Sequence, residues 1–84
     1  MGRNIKGIKD RELKILINNL AKNLKKARTE QGLSMQELAT AAKISTSTIW
    51  ELENVKAEDF RMSTITAIAN QLGLSPLTLI SKAA

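Results

Sequence analysis

Residues 32–56 read GLSMQELATAAKISTSTIWELENVK, and this stretch decides the fold. Ser34-Met35-Gln36-Glu37 has the form of a capping box. In that motif a serine hydroxyl accepts from the amide three residues on, and the glutamate carboxylate reaches back to the serine amide. A helix therefore opens after Ser34, with Leu38, Ala39 and Ala42 on its inner face. Ser45 is the next natural N-cap. It opens a second short helix whose inner positions are Ile49 and Leu52. Only two or three residues are left between the two helices, so they must cross sharply instead of lying side by side.

Outward from this pair the chain stays helical in pattern. Upstream, Leu13, Leu16 or Ile17, Leu20, Leu24 and Ala27 recur at three-to-four spacing. That spacing predicts one long helix from about Asp10 to Gln31. Gly32 then supplies the left-handed residue that commonly ends a helix. Residues 1–9 hold two glycines and three basic side chains, and read as a flexible basic arm. Downstream, Asn54 to Met62 reads as a charged loop with Phe60 as its anchor. Ser63 is the expected cap of a fourth helix bearing Ile65, Ile68, Ala69 and Leu72, with Gly73 just past its end. Ser75-Pro76 starts a fifth, serine at the N-cap and proline at the first helical position. In that last helix Leu77 and Ile80 are expected to point inward and Leu79 outward. Strand patterns are absent. The fold class expected is all-α, with five helices forming one domain over residues 10–84 behind the arm.

Composition narrows the function. The chain has 84 residues, one domain's worth, and 43% of them are hydrophobic. It holds no cysteine, histidine or tyrosine. Disulfides, thiolate metal sites and the commonest general base are therefore excluded. Glu51 and Glu53, and likewise Glu58 and Asp59, do not form a credible acid–base pair. No enzyme, cofactor or metal is expected. The longest apolar run, Ile15 to Ile17, cannot span a membrane, so a cytoplasmic protein is expected. The net charge is +5. Residues 1–28 hold nine basic and two acidic side chains, a net of +7, whereas residues 29–84 hold four and six, a net of −2. Basic charge thus concentrates on the arm and first helix, as in proteins that meet nucleic acid.

The segment from Ser34 to Lys56 resembles the helix-turn-helix of the phage-repressor family, the Cro/CI or XRE type. The likeness lies in Gly32-Leu33-Ser34-x-x-Glu37-Leu38-Ala39, in Ile44-Ser45 and in Ile49-x-x-Leu52-Glu53-Asn54. It continues through Leu72-Gly73-Leu74-Ser75 and covers roughly residues 18–80. The resemblance implies a lambda-repressor-like five-helix domain, here with an extended first helix. It also implies an ion pair between Arg28 and Glu53. Three positions depart from the family pattern. Lys43 and Val55 stand where glycine is usual, and Met35 stands where the second helix usually begins with glutamine.

The resemblance further implies a small transcriptional regulator, a repressor, that binds double-stranded DNA as a homodimer. The third helix would lie in the major groove. Its base readers would be Thr46, Ser47 and Glu51, with Thr48 and Trp50 beside them. This set lacks the side chains that make the best bidentate base contacts. Trp50 has two roles open to it: packing on the loop or a partner, or forming an apolar wall against the DNA. Phosphate contacts are expected from Met35, Gln36, Ser45, Asn54, Lys56, Arg61 and Thr64, and Arg3, Lys6 and Lys9 of the arm could reach the duplex. The dimer interface is expected at Leu77, Leu79 and Ile80, with the start of the first helix as a second candidate. An alternative is an antitoxin or adaptor that uses the same fold to hold a protein partner such as a toxin.

Overall fold

The computed structural model describes residues 3–57 and 60–82, with side chains from residue 11 onward. Five helices follow one another: α1 (Arg3–Glu30), α2 (Met35–Ala42), α3 (Thr46–Glu53), α4 (Met62–Leu72) and α5 (Pro76–Ile80). No strand occurs among the described residues. No described helix is long and apolar enough to cross a membrane.

α1 begins at Arg3, earlier than the expected Asp10, so the backbone is helical through most of the stretch read as an arm. Its residues before Asp10 include only one strong helix opponent, Gly7, which costs about 1 kcal/mol in a helix interior. The side chains of Arg3, Lys6 and Lys9 lie outside the described residues. With 28 residues α1 is about 42 Å long. That nearly matches the molecule's longest dimension, 44 Å.

The core draws on every helix. Leu20 and Leu24 of α1 meet Leu38, Ala39 and Ala42 of α2, Ile49 and Leu52 of α3, Ile65, Ile68, Ala69 and Leu72 of α4, and Leu79 of α5. Seven large side chains in it are completely buried, Leu20, Leu24 and Leu79 among them. Phe60 packs against this core from the loop, as its place in the sequence suggests.

Two expectations are corrected. α4 starts at Met62, with Arg61 in the N-cap position and no side chain capping the helix, so Ser63 is already helical and caps nothing. In α5, Leu79 is the buried residue and Leu77 is 68% exposed, with Ile80 half-buried. The cause lies on α1. Asn23 Nδ2 donates to the carbonyls of Thr78, Leu79 and Ser81 at 3.1, 2.8 and 2.7 Å. Asn19 Nδ2 donates to that of Ile80 at 3.2 Å. These amides supply donors to the orphan carbonyls at the end of α5 and fix the rotation of a helix too short to set its own.

Candidate nucleic-acid interface

The α2–turn–α3 unit is built from its caps. Ser34 Oγ accepts from the Glu37 amide at 3.0 Å, and Glu37 Oε1 accepts from the Ser34 amide at 2.8 Å, closing the capping box. α2 ends at Ala42, and Lys43 turns the chain with φ 61° and ψ 42°, in the left-handed region. The Ile44 amide then bonds back to the Ala39 carbonyl at 3.0 Å. Ser45 Oγ accepts from the Thr48 amide at 3.1 Å and opens α3. The turn therefore comprises Lys43, Ile44 and Ser45. Ala39 is buried beside it, where a larger side chain would hold α2 and α3 apart.

α3 is fixed to α1 by an ion pair. Arg28 Nε donates to Glu53 Oε2 at 2.6 Å and a second guanidinium nitrogen donates to Oε1 at 3.0 Å, a two-pronged contact. Arg28 also donates to the Leu33 carbonyl at 2.7 Å, so one side chain ties α1, the α1–α2 link and α3 together. The side chains retain 11% and 1% of their exposure. The hydrogen bond to Glu53 raises the Arg28 pKa above its ordinary value; desolvation opposes this and the Glu53 charge adds to it. Glu53 thus holds the frame together and is not on the exposed side of α3.

With Ile49, Leu52 and Glu53 buried, α3 presents the opposite side to solvent. Thr46, Ser47, Trp50 and Glu51 are all exposed there. At 3.6 residues per turn they span an arc of about 140°. Trp50 is 47% exposed, a large apolar surface left open. Thr48 is half-buried, its hydroxyl 2.8 Å from that of Ser45. It stands at the edge of the exposed arc and not on it.

The expected phosphate contacts divide. Met35 turns its side chain onto the core, so only its backbone amide faces outward as a donor. Gln36 is exposed on a shallow groove with Ser34, Glu37, Thr40 and Ala41. Ser45 spends its hydroxyl on the cap of α3. Asn54 donates its side-chain amide to the Trp50 carbonyl at 2.9 Å, on its own helix. Lys56 and Arg61 are exposed at the two ends of the α3–α4 loop. Arg61, Thr48, Glu51, Leu52, Ala57, Phe60 and Thr64 line a cleft of about 180 Å³. That is smaller than the few hundred Å³ typical of small-molecule sites. The amides opening α4 have no side-chain cap and point their partial positive charge outward beside Arg61.

Sequence reasoning missed the side chains that set the frame from a distance. Besides Asn19 and Asn23, Gln31 Nε2 donates to the Leu72 carbonyl at 2.7 Å and closes the end of α4. Val55, after α3, has φ 55°, a left-handed conformation that a β-branched residue adopts only under strain. Among the described residues, no group of three acidic, histidine or cysteine side chains converges to hold a metal ion.

The geometry has counterparts among known proteins. The family model described as a helix-turn-helix domain matches residues 21–84. No curated protein matches the chain in sequence. Among solved structures, it is similar to the hypothetical transcription factor NHTF from Neisseria, with a TM-score of 0.75 and 25% identity over 80% of this chain and 76% of that one. It is also similar to the clp gene regulator ClgR from Corynebacterium glutamicum, with a TM-score of 0.70 and 25% identity over 76% of this chain and 67% of that one. Two capped helices about a three-residue turn, matched by the family over three quarters of the chain, place this protein in the XRE-type helix-turn-helix domain family.

Proposed function

We propose that this protein is a sequence-specific DNA-binding regulator of transcription that represses as a homodimer, with α3 in the major groove. The observation that carries the reading is the exposed arc of Thr46, Ser47, Trp50 and Glu51 on a helix locked to its frame by the Arg28–Glu53 pair. Thr46 and Ser47 lie in the first turn, the part of a recognition helix that meets base edges. Their hydroxyls bond to several bases, and the Thr46 methyl suits a thymine methyl. Glu51 accepts from a cytosine amine. Trp50 serves as an apolar wall against sugars and thymine methyls. Lys56, Arg61 and the open amides of α4 take the phosphates that flank the reading helix.

One domain covers half an operator, so two copies reading half-sites about 34 Å apart complete it. The similarity to a transcription factor and a gene regulator supports the regulatory role. Leu77, 68% exposed on α5, is the apolar residue offered to a second copy. Leu79 is fully buried and takes no part. A reading helix without arginine, asparagine or glutamine favours the alternative, a module that holds a protein partner.

Fluorescence anisotropy with DNA from upstream of the gene, against scrambled DNA, tests the proposal. Tight binding to the upstream duplex, weakened at least tenfold in Thr46→Ala/Ser47→Ala with the fold intact, is expected. Equal binding of both duplexes by the wild type would remove sequence-specific regulation. In that case a pull-down with the folded protein would test the partner-holding alternative.

A further inference from the structure

The reading surface is poor in positive charge. α2 and α3 together carry Glu37, Glu51 and Glu53 and no lysine or arginine. Lys43, Lys56 and Arg61 are the cations in the turn and loop beside them. A duplex presents one negative charge per about 1.7 Å of axis, and its affinity for proteins rests mainly on neutralising it. Lys56 and Arg61 neutralise only the few phosphates beside α3, and the larger store of positive charge lies elsewhere in the molecule.

It is on α1. Arg11, Lys14, Lys22, Lys25 and Lys26 are all exposed. At 3.6 residues per turn they fall within an arc of about 120°, on the side of the helix opposite the buried Leu20 and Leu24. They extend over about 22 Å of axis. Glu12 and Glu30 lie outside this arc, about 40° beyond Lys26. Two polar residues within it turn back on the helix: Asn18 donates to the Lys14 carbonyl and Thr29 to that of Lys25. Among the described residues the sole ion pair is Arg28–Glu53, and Glu30, four residues past Lys26, does not pair with it. Asp10, four residues before Lys14, lies outside the described side chains.

A face that merely solvates a helix does not call for this pattern. Arg11 and Lys14, Lys22 and Lys25, and Lys22 and Lys26 are like-charged neighbours at three or four residues' spacing. Each such pair destabilises a helix by a few tenths of a kcal/mol. A row of phosphates would relieve that repulsion.

We propose that the outward face of α1, centred on Lys22, Lys25 and Lys26, is a sequence-independent phosphate-binding surface for duplex DNA, separate from the reading face of α3. It rests on the DNA-binding reading and adds a second, sequence-independent DNA contact to the one that α3 makes.

The test compares the full-length wild type with Lys22→Gln/Lys25→Gln/Lys26→Gln and with Thr66→Ala. Each is titrated into a random-sequence duplex at several salt concentrations. The triple variant should bind more weakly, and its slope of log K against log salt should shrink by two to three, about 0.9 for each phosphate no longer neutralised. Lys22→Arg/Lys25→Arg/Lys26→Arg should keep the wild-type slope. Thr66→Ala, exposed on α4 and part of neither surface, should also keep it. Thr46→Ala/Ser47→Ala is read separately, in the upstream-against-scrambled comparison, where a preference equal to the wild type's would overturn the α3 reading and not this one. The urea midpoint of the glutamine variant should equal or exceed that of the wild type, since repulsion is removed. A glutamine variant with the wild-type slope and affinity would overturn the proposal. So would a wild type that ignores the random duplex at low salt, or that prefers vesicles of anionic lipid to it.

Discussion

Replacing Arg28 with alanine should be among the most damaging single substitutions in this domain. The change removes two hydrogen bonds to Glu53 and one to the Leu33 carbonyl. It strands a carboxylate whose side chain keeps only 1% of its exposure. Breaking a buried pair from one side costs about 3–5 kcal/mol, because the remaining charge has neither water nor a partner. For a domain of this size that is a fall in Tm of about 15–30 °C. Arg28→Met/Glu53→Leu removes both charges and should recover to within about 1–2 kcal/mol of the wild type. Urea unfolding followed by circular dichroism measures all three, with a constant slope showing that the unfolding reaction is unchanged. An Arg28→Ala protein within about 1 kcal/mol of wild type would show that Glu53 is not held as a buried charge. A double variant as unstable as Arg28→Ala would show that the loss comes from packing and not from the stranded charge. Alkali is a further check. The pKa of Arg28 is raised in the folded protein. Its contribution is therefore complete below the ordinary guanidinium value and is lost only as pH climbs through the raised one. The stability difference between wild type and the double variant should stay constant from neutrality to about pH 10.

Other changes have smaller expected effects. Lys43→Gly should raise the stability measured by urea unfolding by up to about 1 kcal/mol, because Lys43 sits at φ 61° where a side chain is strained. Val55→Gly should raise it more, since a β-branched residue at φ 55° is worse placed; a fall in either would locate the strain elsewhere. Asn23→Ala should cost about 1–2 kcal/mol and speed amide exchange across α5, whose last carbonyls it binds. Asn23→Asp should cost more, because a carboxylate would face those carbonyls and the negative end of the helix. Ser34→Ala should cost about 1 kcal/mol by opening the capping box, measured in the same unfolding assay.

The features legible in the chain are local, and those that are not are remote. Ser34, Glu37, Ser45 and Ser75 act on amides within three residues, Pro76 brings a φ already set for the first helical position, and each stands where its sequence neighbourhood puts it. Gly73 ends α4 with φ 72° for the same reason. The Arg28–Glu53 pair is legible only through resemblance, since no rule of spacing joins residues 25 apart. Ser63 misleads because a cap-type residue marks a helix start only where the chain enters at that point. Here Phe60 is held on the core, and the Ile65 amide bonds to the carbonyl of Arg61, so the helix begins early. The inward face of α5 is hidden from sequence because five residues give too few apolar positions to define one. The deciding contacts come from Asn19 and Asn23, 55 to 61 residues away. On α3, the exposure of Thr46, Ser47, Trp50 and Glu51 follows from the inward Ile49 and Leu52.

The anchoring of α5 bears on how the protein is made. A ribosome delivers α1 through α4 before it delivers α5. Until then the place of Leu79 is an open apolar socket, and Asn19 and Asn23 have no carbonyls to hold. The nascent chain thus carries α3 before it owns a sealed interior. Such half-finished domains expose sticky surface and attract chaperones and proteases. A cut between α4 and α5 would return the finished protein to that state. A break near Ser75, remote in sequence from Thr46 and Ser47, would thus unseal the interior on which α3 is seated without touching α3 itself.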